Sequence, residues 1–171
     1  PVRTVSDLLR RLYRPYALAA ADAFARAGLA SRAEVMQFVH RLKGYPGIVQ
    51  ARSLSRLIDP RAQSPGESWQ RLRILDAGFP PPVPQFEDVD SLGRTWFLDH
   101  AYPELLIASE YDGTEFHTAQ AHREHDEDRR GFLTEVHGWR WVNAGRSRLL
   151  GPDTAFEEEF GELLGMAPPL A

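Results

Sequence analysis

Cysteine is absent from the 171 residues, which excludes a disulfide framework and any zinc site built on thiolates. The lack agrees with the cytoplasmic location expected here. No apolar run approaches the roughly 18 residues that a bilayer-spanning helix needs, so no membrane partner is expected. The opening segment is amphipathic and arginine-rich, unlike the apolar stretch of a secretory signal. No glycine-rich phosphate loop occurs, nor a Ser or Cys nucleophile system. Internal repeats and low-complexity stretches are also missing. The chain begins at Pro1 rather than Met, and it is expected to be a fragment of something longer.

What is present suits an ordinary globular protein. Hydrophobic residues make up 43% and charged residues 26%, enough for a real core and a normal solvated surface. Net charge is −4, but its distribution is uneven. Residues 1–73 hold thirteen Lys and Arg against five Asp and Glu, and residues 74–171 hold seven against nineteen. A basic front and an acidic back suit a phosphate-contacting face beside a cation-binding site, although arginine-rich helices also simply carry solvated faces.

The first 60 residues read as a helical module. Ser6-Asp7 starts one helix through Leu8, Leu9 and Leu12, and Pro15 suits the first position of a second that Gly28 stops. Ser31 and Glu34 form a capping-box pattern ahead of Val35, Phe38, Val39 and Leu42, with Gly44 beyond the end. A fourth helix covers Ile48–Ile58. From Ser64 the pattern changes, and residues 61–171 form the second expected domain. Ser64-Pro65-Gly66-Glu67 is another capping box, opening a helix with Trp69, Leu72, Ile74 and Leu75 that Gly78 ends. The proline-rich run Phe79–Pro84 reads as an extended linker. Strands are expected over Gln85–Val89, Arg94–His100 and Leu105–Asp112. Thr118 can cap a long polar helix to about Val136, Trp139–Asn143 is a fourth strand, and Asp153–Leu164 is a terminal helix. The run Leu105-Leu106-Ile107-Ala108 is apolar throughout, as a strand covered on both faces would be. The fold class expected is α+β with an α/β core: a mixed sheet with packed helices, preceded by the helical module.

Two strand candidates end in carboxylates, at Trp96-Phe97-Leu98-Asp99 and at Ile107-Ala108-Ser109-Glu110-Tyr111-Asp112-Gly113. If adjacent, they bring Asp99, Glu110 and Asp112 together, with Glu110 and Asp112 on one face by strand alternation. Clustered carboxylates repel unless a cation neutralises them. Hard oxygen ligands favour Mg²⁺ or Mn²⁺, which keep waters for a phosphate substrate and lower the pKa of an attacking water.

Glu67, Asp99, Glu110-Tyr111-Asp112-Gly113 with Phe116-His117, Asp126, Arg129 or Arg130, and Gly138-Trp139 together resemble a bacterial family. It is the very-short-patch-repair (Vsr)-like endonucleases, also called domain of unknown function 559. The likeness covers about Ser64 to Leu150. It implies a restriction-endonuclease-like αβββαβ core with a PD-(D/E)XK site, Asp99 as first acid and Glu110 as second, and the Tyr111 carbonyl as an extra ligand. Asp112 stands where that superfamily has lysine, so the usual cationic helper is missing; Asp112 reads as a third carboxylate for the metal or for water. His117 is a candidate for proton transfer, since imidazole titrates near neutral pH. Residues 1–60 resemble the middle segment of actinobacterial proteins that join an AbiEi-like antitoxin region to such a domain, where a winged-helix DNA reader usually precedes it.

The expected function is metal-dependent hydrolysis of DNA phosphodiesters, as an endonuclease or nickase, on a double-stranded partner. Arg129 and Arg130 are candidates for phosphate contact, though i,i+4 pairing also explains them, and Arg10, Arg11 and Arg14 are candidates for the DNA backbone. The alternative is a degenerate nuclease fold that binds DNA or a protein partner as a regulator in a toxin–antitoxin system. An RNA-directed nuclease is a third reading. Simpler roles stand beside each residue: Glu67 as a capping acid, Asp112-Gly113 as an ordinary turn, His122 and His125 on a solvated helix face, and Trp139 and Trp141 as core.

Overall fold

The computed structural model describes residues 1–113 and 120–167. It divides into two compact units, Pro1–Leu72 and Arg73–Ala171. The division falls inside the fifth helix, later than the change of pattern at residue 60. Among the described residues the fold is α+β, with helices first and then a four-stranded mixed sheet with further helices. No described helix is long and apolar enough to cross a membrane.

The first unit contains α1 (Val2–Arg11), α2 (Arg14–Arg26), α3 (Arg32–Arg41), α4 (Ile48–Ser55) and the start of α5 (Pro65–Asp76). Val2, Val5 and Leu9 recur at helical spacing, so α1 already starts at Val2, ahead of the Ser6-Asp7 signal. Val5 and Leu9 are fully buried with Leu18, Val35, Val39, Ala51, Leu54 and Ile58. Each such aliphatic side chain contributes about 1.5–3 kcal/mol when taken out of water. The capping box of α3 forms: Glu34 N–H donates to Ser31 Oγ, and Ser31 N–H to the Glu34 carboxylate at 2.9 Å. Asp22, Glu67 and Arg71 are charged residues buried in this unit. Asp22 accepts from Arg71 Nη2 and Ser68 Oγ, each at 2.7 Å, and from Asp59 N–H at 2.8 Å. Burial pushes the Asp22 carboxyl above the usual carboxylate range, while Arg71, Asp59 N–H and Ser68 pull it back.

In the second unit the strands are β1 (Val83–Val89), β2 (Thr95–Tyr102), β3 (Ile107–Tyr111) and β4 (Arg140–Ala144). They lie in the order β1-β2-β3-β4, antiparallel except for β3 and β4. The parallel pair is joined through α6 (Gln120–His137), as parallel strands need a long crossover. Two short helices follow, α7 (Arg146–Leu150) and α8 (Ala155–Leu164).

Three sequence expectations change here. Pro103–Leu105 forms a 3₁₀ turn and Leu106 has φ 50°, so Leu105 and Leu106 are exposed and the doubly covered strand shrinks to Ile107 onward. Asp112 lies past the end of β3. Phe79 is no free linker, being buried edge-on against Phe160, with Tyr102 donating to the Pro80 carbonyl at 2.5 Å. Burial also raises the pKa of that Tyr102 hydroxyl.

Leu98, Ala101, Ala108, Leu133 and Trp139 form one buried cluster, with Phe86, Trp96, Phe132 and Trp141 packed around it. The β1–β2 register is the same on both sides of Asp99, and opposite it Gln85 holds φ 50°. Farther out, the hairpin is tied to the end of α6. Asp88 accepts from Trp139 Nε1 at 2.8 Å and pairs with His137 Nδ1 at 2.7 Å.

Candidate functional site

Asp99 and Glu110 come from adjacent antiparallel strands. The register His100↔Ser109 and Ala101↔Ala108, continued by one step, brings Asp99 level with Glu110. There the carboxylate of Asp99 takes over part of the ladder: Tyr111 N–H donates to its Oδ2 at 3.0 Å. Its other oxygen accepts from Gln85 Nε2 at 3.3 Å. Asp99 is therefore oriented from both neighbouring strands, by a backbone amide of β3 and a side-chain amide of β1. Gln85 reaches it from a left-handed backbone position that a side chain seldom occupies, which costs on the order of 1 kcal/mol.

Glu110 is held differently. Both of its oxygens lie 2.6 Å from Arg129 Nη2, and Arg129 Nη1 donates to the Phe97 carbonyl at 3.3 Å. The pair is largely covered, with 20% of the Arg129 side chain and 12% of Glu110 exposed. At this burial a lone carboxylate would be costly, and a contacting guanidinium offsets most of that cost. Glu110 N–H donates to Asn143 Oδ1 at 3.3 Å, from the strand paired with it on the far side. Among the described residues, β2, β3 and α6 bring two carboxylates and one guanidinium here.

The remaining candidates have contacts of their own or lie outside the described residues. Asp112 is exposed, and its N–H donates to the Ala144 carbonyl at 3.1 Å. Among the described residues, no three acidic or histidine side chains are gathered to share one ion, so Asp112 is not drawn into the pair. His117 lies outside the described residues. Glu67 is a buried residue of the first unit whose carboxylate accepts from Gln63 N–H at 2.8 Å, while its own N–H donates to Ser64 Oγ at 3.2 Å. Those are the bonds of a helix-capping acid. Arg130 is half-buried on α6. Three contributions escaped the reading of the sequence: Gln85, Asn143, and Arg129 as partner of Glu110. Asn143 carried a usable signal, as the polar residue closing an otherwise bulky strand run at the end that meets Glu110. Gln85 carried none, and Arg129, singled out for phosphate, carried none for its pairing with Glu110, because each reaches the site only through tertiary approach.

Two carboxylates with hard oxygen donors suit a divalent ion of the Mg²⁺ or Mn²⁺ type, which needs only one or two protein carboxylates beside a substrate phosphate. Asp99 and Glu110 would hold it through their carboxylate oxygens. For Glu110 this means sharing or releasing Arg129.

No protein-family profile matches the chain, and no solved structure matches it. Two proteins of Mycobacterium tuberculosis are similar to it: Uncharacterized protein MT2308 of strain CDC 1551 / Oshkosh and Uncharacterized protein Rv2248 of strain ATCC 25618 / H37Rv. Each is 37% identical over 142 residues, which is 83% of this chain and 52% of the relative. The chain thus spans about half the length of the relatives it matches.

Proposed function

We propose that the second unit hydrolyses DNA phosphodiester bonds with a divalent cation, Mg²⁺ or Mn²⁺, bound by Asp99 and Glu110, and that it works in the cytoplasm. The observation that carries this reading is the pairing of those two carboxylates on adjacent strands, with a guanidinium against one of them. A hard divalent ion bound there supplies an acidified water and stabilises charge on the phosphate. The chain's own residues do the positioning. Tyr111 N–H and Gln85 fix the orientation of Asp99. Arg129 neutralises Glu110 until a cation takes over that task, and it then becomes available to a phosphate oxygen. In this role Arg129 supplies from α6 the positive charge that Asp112 denies to the motif. His117 is assigned proton transfer, Asp112 water orientation, and Arg130 a backbone phosphate.

Supercoiled plasmid and single-stranded DNA, each incubated with Mg²⁺, Mn²⁺ or EDTA, provide the test. Asp99→Asn keeps an acceptor oxygen for Tyr111 and should fold and bind DNA normally, yet lose cleavage, as should Glu110→Gln. Wild-type cleavage by Asp99→Asn removes Asp99 from the mechanism.

One observation favours a second reading. Arg129 already engages both oxygens of Glu110, as in a nuclease fold kept for binding DNA or a protein partner after its chemistry was lost. Calorimetric titration with Mn²⁺ separates the two: a regulator of this kind takes up no ion that Asp99→Asn abolishes.

A further inference from the structure

The first unit carries an exposed surface rich in aromatic and arginine side chains at the corner between α1 and α2, where α4 packs beside it. Tyr13 is 61% exposed, Tyr45 49%, Val49 79% and Leu12 38%. Their placement is enforced by the backbone. Gly47, at the N-terminus of α4, lies so close to the end of α1 that a Cβ there would sit 2.0 Å from the Arg10 carbonyl oxygen. Arg10 donates to the Pro46 carbonyl at 3.1 Å and lies over the Tyr45 ring, 5.1 Å from its centroid. Gln50 of α4 donates to the carbonyls of Leu9 and Leu12, each at 2.9 Å. Arg14 reaches Ser53 Oγ at 3.4 Å. Tyr45 is thus tied through Arg10 to the end of α1, and Tyr13 follows that same end at the start of α2.

Charge selects the occupant. Residues 1–72 contain twelve Lys and Arg but five Asp and Glu. Of those acids, Asp7 pairs with Arg10, Asp22 is buried with Arg71, Glu34 caps α3, Asp59 pairs with Arg61, and Glu67 caps α5. Arg11 and Lys43 are exposed, each two residues before one of the tyrosines, Arg11 before Tyr13 and Lys43 before Tyr45. Aromatic rings with cations beside them fit unstacked bases joined by phosphates, whereas an apolar protein partner would not call for this excess of one sign.

We propose that this corner binds single-stranded DNA, with bases stacking on Tyr13 and Tyr45 and phosphates meeting Arg11, Arg14 and Lys43. The choice of DNA rests on the nuclease reading above, but the binding itself needs neither metal nor cleavage. Its test is fluorescence anisotropy of the full chain with labelled oligo(dT) and with a duplex, in EDTA, so that a failure of the catalytic reading leaves the measurement intact. Oligo(dT) should bind more tightly than duplex. Tyr13→Ala and Tyr45→Ala should each weaken it by roughly tenfold, while Tyr13→Trp and Tyr45→Phe retain it. Leu29→Ala, which alters another exposed apolar residue of the unit, should change nothing. Arg11→Gln and Lys43→Gln should each flatten the dependence of log affinity on log salt by about 0.7. Circular dichroism melts of each variant separate lost contacts from lost folding. The proposal is overturned by tyrosine variants that melt normally and bind as wild type, by a preference for duplex, or by no DNA binding at low salt; that last result assigns the corner to a protein contact.

Discussion

A guanidinium 2.6 Å from both oxygens of Glu110 neutralises that carboxylate, and under the proposed function a divalent ion has to compete with it. Arg129→Gln should tighten Mn²⁺ binding roughly ten- to a hundredfold, since the hydrogen bond removed is of the charged kind and worth roughly 1.5–3 kcal/mol. Calorimetry reads this directly, and an unchanged affinity would show that Arg129 does not compete for the site. Asp22 gives a prediction of another kind. Asp22→Ala leaves Arg71, 6% exposed, without its anion, and the expected loss is about 3–5 kcal/mol in urea unfolding. The titration should also be distinctive. Burial raises the Asp22 pKa, so the stability its protonated form contributes is present at acid pH and fades as pH rises through that folded pKa. Asp59 behaves oppositely. Burial raises its pKa, but hydrogen bonds from the Arg61 side chain and backbone and the Arg61 charge outweigh this and hold it low. Its contribution is therefore lost as pH falls through its folded pKa. Carboxyl ¹³C NMR should find Asp22 titrating above the usual range and Asp59 below it.

At the scale of elements, Gly47 is the position where two helices depend on one missing side chain. Its φ is 75° and a Cβ would strike the Arg10 carbonyl. Gly47→Ala should cost at least about 2 kcal/mol, from left-handed strain and overpacking together, measured as a lower denaturation midpoint. Elements whose signals are local were legible in the sequence. The capping box of α3, the Pro65 start of α5 and the strand–strand–strand–helix–strand order all rest on residues near one another in the chain. The 3₁₀ turn at Pro103–Leu105 was not, because an unbroken apolar run reads as strand until the left-handed Leu106 shows otherwise. Nor was α7, five residues long and without a capping side chain. The site divides along the same line. Asp99 and Glu110 announce themselves as acids closing apolar strand runs, while Gln85 and Arg129 depend on tertiary approach and leave no local trace.

For the whole molecule, charge and division run together. The basic excess of residues 1–72 and the acidic excess of residues 73–171 coincide with the two compact units, each of which has a buried apolar cluster of its own. A basic unit favours anionic partners and an acidic one cations, and a single surface cannot favour both. Length, composition and charge distribution made that asymmetry readable before any contact was known. What they could not give was the place of division, because α5 runs through it without any break in helical pattern.

The hairpin between β2 and β3 has a consequence for the order in which the protein assembles. Asp99 meets the Tyr111 amide across 12 residues of chain, but Arg129 reaches Glu110 across 19 and Trp139 reaches Asp88 across 51. Closing short loops costs less entropy and happens sooner. The two carboxylates therefore come together while α6 is still undocked, and their mutual repulsion then opposes the growing sheet. Arrival of the helix sets Arg129 against Glu110 and so relieves that repulsion.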